Sequence, residues 1–80
     1  MQNLRKDPRV SIQLAAEITL PNLVALECRV RDLSRGGALL AMEDVTRLPA
    51  QFGLRLATSN TVRQVAVRWM RQGEVGVRFV

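Results

Sequence analysis

From Val10 onward, apolar and polar positions alternate. The even positions read Val10, Ile12, Leu14, Ala16, Ile18 and Leu20, and the odd ones Ser11, Gln13, Ala15, Glu17 and Thr19. Successive side chains of a strand point to opposite faces of its sheet, so this period of two predicts a strand with one buried face. Pro21 and Asn22 predict a turn. The period resumes with Val24, Leu26, Cys28 and Val30 set against Ala25, Glu27, Arg29 and Arg31. The short link makes this second strand antiparallel to the first. The run DLSRGG at 32–37 then breaks the pattern, with Gly36 and Gly37 admitting backbone angles that other residues resist. Ala38 to Met42 predicts a short third strand, and 43–51 a connection with room for one helical turn. Phe52, Leu54 and Leu56 predict a fourth strand, followed by a turn at 58–61. Val65, Val67 and Trp69 alternate with Gln64, Ala66, Arg68 and Met70 in a fifth. A tight turn at 71–74 leads to a sixth strand with Val75, Val77 and Phe79 on one side.

Six short strands at regular spacing, with no amphipathic helix, predict a small antiparallel barrel or sandwich. Barrel closure removes the unpaired edges that six open strands would present. In this reading Cys28, Trp69 and Phe79 face inward as core residues, and Arg68 and Arg78 face solvent. Eighty residues hold one domain. The barrel is expected over 10–80, and the polar segment 1–9, outside the strand pattern, as a flexible basic arm.

Composition narrows the chemistry. There is no histidine and one cysteine. Zinc and haem sites, an internal disulfide and histidine-assisted nucleophilic catalysis are therefore not expected. Glu43 and Asp44 sit in a polar connection with no arrangement for acid–base work, so the expected class is a binding module and not an enzyme. No apolar run is long enough for a membrane span, and the start lacks a signal-peptide core, so the expected compartment is the cytoplasm. The net charge is +5, and eleven of the twelve cations are arginine. Arginine forks match phosphates and guanine edges, which points to an anionic, nucleotide-like partner. A genome rich in G and C accounts for the same excess.

Two motifs sharpen this. Arg5 and Arg9 form R-x-x-x-R directly before the first strand. Asp32, Ser34 and Gly37 form D-x-S-x-x-G directly after the second. Together, ahead of a small barrel and the closing stretch VAVRWMRQGEVGVRFV, they make the chain resemble the PilZ domain, the bacterial receptor module for cyclic di-GMP. The resemblance implies a six-stranded antiparallel barrel. It also implies cyclic di-GMP as ligand, with no further cofactor and no metal. It assigns guanine and phosphate contacts to Arg5 and Arg9, polar base contacts to Asp32 and Ser34, and a close backbone turn to Gly37. Lys6, Arg35 and Gly36 are auxiliary candidates. Leu4 stands where many members carry a further arginine, which implies one nucleotide per domain. Partners typical of the family are effector proteins of flagellar, pilus or polysaccharide machinery, in motility or biofilm regulation. Two rival readings are an adaptor barrel that no longer responds to the dinucleotide and a small basic nucleic-acid binder. The second has no exposed aromatic pair on which bases would stack.

Overall fold

The structure is a computed structural model that describes residues 10–80, with side chains from Gln13 onward. The segment expected as an arm, with Arg5, Lys6 and Arg9, lies outside the described residues.

Six strands form: β1 (Val10–Thr19), β2 (Ala25–Leu33), β3 (Gly37–Ala41), β4 (Gln51–Leu56), β5 (Arg63–Arg71) and β6 (Glu74–Phe79). They close into a barrel in the order β1-β2-β3-β6-β5-β4, every neighbour antiparallel. The expected helical turn in the long connection is a single 3-10 turn, Val45–Arg47. Asp44 caps it, accepting from the Thr46 N–H at 3.0 Å.

The predicted inward positions fill the barrel. Ile18, Val30, Val65 and Val75 are fully buried, and Ala16, Cys28, Phe52, Leu54 and Val77 nearly so; Leu40 of β3 is fully buried beside them. Burying each of the larger aliphatic side chains contributes about 1.5–3 kcal/mol. Phe79 packs against this core as expected, and the Arg63 guanidinium lies 4.0 Å from its ring centroid.

Strand limits differ from the sequence expectation by a residue or so at several ends, and two differences fall at the ends of β2. Val24 lies outside β2, in the turn region, and is exposed. Asp32 and Leu33 belong to β2 and Gly37 to β3, so the connection shrinks to three residues, 34–36. A bulge produces this. Val30 pairs with Leu40 and Asp32 with Leu39, so Arg31 is the extra residue. Past it the alternation is reset. Leu33 packs against the core, and Asp32 shares a face with Leu39.

A second bulge corrects the placement of Trp69. Val67 pairs with Val77 but Trp69 with Gly76, so two steps along β5 match one along β6. The sequence alternation puts Trp69 inside. The inserted residue, Arg68, turns it out, and it is 43% exposed. Met70 takes the position across from buried Val75, at the rim.

Candidate functional site

The bulge in β2, the turn it leads into and the bulge in β5 meet on one outer face of the barrel. Asp32, Ser34 and Gly37 line a groove of about 90 Å3 with Ala38, Leu39, Arg68, Trp69, Gly76 and Val77. Asp32 and Ser34 are half-buried, and Arg68 is exposed. Ser34 closes the turn twice, donating from its N–H to the Gly37 carbonyl at 2.9 Å and from Oγ to the same oxygen at 3.3 Å. Its Oγ lone pairs stay available as acceptors. The Phe79 N–H donates to the Gly36 carbonyl at 2.9 Å, which ties the turn to β6. Arg35 and Gly36 sit at the exposed tip of the turn.

The expectation that Gly36 and Gly37 supply unusual backbone angles is corrected. Among the described glycines only Gly73, in the β5–β6 turn, has a positive φ (80°). Gly37 is needed for a different reason. A Cβ there would overlap the Val77 carbonyl oxygen, a backbone atom that cannot swing aside. The missing side chain lets β3 start flush against β6.

Gly76 plays a matching part beneath Trp69. A Cβ on it would overlap the indole at Nε1 and Cε2, so the nitrogen-bearing edge of the ring lies directly against the β6 backbone at Gly76. The Arg71 guanidinium lies 5.0 Å from the indole centroid. The groove thus offers a carboxylate, a hydroxyl, a guanidinium and an aromatic plane. A carboxylate suits the paired N–H donors on one edge of guanine, and an indole suits a stacked base. The alternation places Arg68 in solvent and Trp69 in the core, and the bulge brings both to the groove. The one signal for it was the adjacency of two large apolar residues, Trp69 and Met70, which breaks strict alternation.

The start of β1 completes the geometry. Val10 pairs with Leu33 and Ser11 with Asp32, so the chain enters the barrel beside the Asp32–Gly37 segment. Binding pockets for drug-sized ligands run to roughly 300–1,000 Å3. At about 90 Å3 the groove is too small to enclose a ligand as large as a dinucleotide by itself.

A larger concavity, about 630 Å3, lies over β1, β2 and the ends of β3 and β4, lined among others by Ala15, Glu17, Glu27, Arg29, Arg55 and Ala57. Arg55 and Glu17 pair within it at 3.4 Å, and no residue of the D-x-S-x-x-G motif is among the described residues that line it. Cys28 borders it, but burial pushes the thiol up to about 11, so it stays protonated and is a poor nucleophile at neutral pH. Among the described residues no group of acidic, cysteine or histidine side chains is arranged to hold a metal ion, and no helix is long and apolar enough to cross a membrane.

The PilZ domain family model matches residues 3–80. Among solved structures, the chain is similar to the PilZ domain with c-di-GMP of YcgR from Escherichia coli. The TM-score is 0.66 at 16% sequence identity, over 98% of this chain and 79% of that one. No curated protein matches the sequence.

Proposed function

The chain belongs to the PilZ domain family, and from that membership we propose that it is a receptor module for cyclic di-GMP, a binding protein and not an enzyme. The observation that carries the reading is the pairing of Val10 with Leu33. It roots the R-x-x-x-R segment beside the D-x-S-x-x-G turn, at one end of the barrel. Arg5 lies five residues before Val10, within about 17 Å of it even when fully extended. Both arginines can therefore reach a ligand resting on the groove.

In this reading Arg5 and Arg9 take a guanine edge and a phosphate through paired, charge-assisted hydrogen bonds. Asp32 accepts from the guanine N1–H and N2–H donors, with Ser34 beside it. Arg68 adds positive charge near the phosphates, and Trp69 offers a face for one base. The ligand carries two negative charges. Closing a basic segment over it neutralises both and orders the segment at an entropy cost, so affinity is expected near micromolar, about −8 kcal/mol. The newly formed surface of segment and ligand then meets an effector protein in the cytoplasm.

Isothermal titration with cyclic di-GMP tests this, with cyclic di-AMP and GMP as controls. The expected outcome is selective binding at one nucleotide per domain, and loss of most of it in Arg9→Ala. Equal binding of all three nucleotides, or unchanged affinity in Arg9→Ala, would reject the assignment. A clear ratio of two would reject the stoichiometry alone.

A further inference from the structure

Trp69 is held in place by residues outside the groove. Arg71 donates from Nε to Glu74 Oε1 at 3.0 Å, and its Nη2 lies 2.9 Å from the same oxygen. The second carboxylate oxygen of Glu74, Oε2, accepts from Nη1 of Arg31 at 3.0 Å. Arg31 is the inserted residue of the β2 bulge, and it reaches across β3 to make this contact. Each oxygen of one carboxylate is thus used by a different strand. The Glu74 side chain is 19% exposed, against 50% for Arg31 and 68% for Arg71. The anchor is sheltered and its two partners are not.

An isolated surface ion pair fixes little, because two long side chains must be ordered for one contact in water. Here one half-sheltered carboxylate contacts both guanidiniums, and the Arg71 guanidinium carbon lies over the indole. Gly76 has no side chain to set the angle of the indole edge that rests against it.

We propose that Glu74 is a positioning residue of the binding site: through Arg71 it holds the Trp69 indole against Gly76 and so presents a preformed wall to the ligand. Arg31 steadies Glu74 from β2, the strand that also carries Asp32. The β2 bulge and strand β5, which carry the two sides of the groove, are joined through one carboxylate. This rests on the cyclic di-GMP reading for the ligand but not for the clamp. A planar, doubly bonded guanidinium is required at 71, because an ammonium cannot both fork onto a carboxylate and lie over a ring.

The chain contains one tryptophan and no tyrosine, so its intrinsic emission reports on Trp69 alone. Acrylamide quenching of that emission in the free protein reads the clamp, and titration with cyclic di-GMP reads the site. In Glu74→Gln and Arg71→Lys the quenching constant is expected to rise about twofold and the dissociation constant roughly three- to tenfold. Arg31→Gln should show a smaller change in both. Arg47→Gln, a charge removed from the 3-10 turn, should change neither. Should Glu74→Gln fold poorly, Arg71→Lys and Arg31→Gln carry the same comparison. Unchanged quenching in these variants would overturn the clamp. Raised quenching with unchanged affinity would show that the indole is held but is no part of the binding wall, and would overturn the role given to Glu74. A wild-type protein that binds no cyclic dinucleotide overturns the receptor reading together with that role, while the quenching series still decides whether the clamp exists.

Discussion

Leu23 sits in the left-handed region with φ 69° and is 83% exposed. It follows a turn closed by the Leu23 N–H donating to the Leu20 carbonyl at 2.8 Å, with Leu20 N–H donating to Val24 at 2.9 Å. That position of a hairpin loop ordinarily takes glycine or asparagine, since a Cβ there crowds the following carbonyl by about 1–2 kcal/mol. Leu23→Asn is expected to relieve the strain and raise Tm by about 3–6 °C in a thermal melt. Cys28 gives a prediction of opposite character. Its thiol is raised from 9.0 to about 11 by burial. The unfolded chain therefore loses the proton first as pH rises. The stability contribution is whole below pH 9 and is lost as pH climbs through 11. With no tyrosine and a single lysine, few other groups titrate there. Urea midpoints between pH 8 and 11 should fall, and Cys28→Ala should flatten the slope.

The bulges are the elements that turn a generic barrel into one with a site. The extra residue in β2 sends Leu33 toward the core, and Asp32 emerges in the groove. The extra residue in β5 everts Trp69 and leaves the ring lying on Gly76. Gly76→Ala tests the second device. Its methyl group would occupy the space of the indole, so the ring must lift from the sheet. The expected result is a red-shifted Trp69 emission and weaker cyclic di-GMP binding, with the barrel still folded by far-ultraviolet circular dichroism. An unshifted emission would show that the ring does not rest there. Gly37→Ala should be harsher, because its methyl group meets backbone that the β3–β6 pairing holds in register. A loss of about 2 kcal/mol or more in chemical denaturation is expected, in line with overpacking elsewhere.

At the scale of the molecule the barrel depends on one layer of aliphatic side chains drawn from all six strands. Leu40 is fully buried in β3, the shortest strand, between β2 and β6. Leu40→Ala is expected to cost about 2–5 kcal/mol, a large part of what a domain this small possesses. Urea unfolding should show it as a lower midpoint with an unchanged slope. The charge of the whole chain acts on association. A receptor with net charge +5 should capture a dianion faster at low salt, and the association rate should fall as ionic strength rises.

Strand count, inward faces and the three-residue connection's neighbourhood were legible in the residues because alternation reports directly on which side of a sheet is wet. Val30, Val65 and Val75 are buried where their period put them. The D-x-S-x-x-G segment was legible as well, since a turn needs particular residue types at fixed offsets. Local order along the chain could not reveal what lies across the barrel. Arg68 and Trp69 reach the groove only through a register shift between β5 and β6, and a shift is a property of two strands. Gly37 and Gly76 are demanded by atoms some forty and seven residues away. Glu74 gathers Arg31 and Arg71 only once β3 lies between β2 and β6. Alternation belongs to a single strand and can be read from it. Register, close approach and the meeting of distant charges exist only after the sheet has closed.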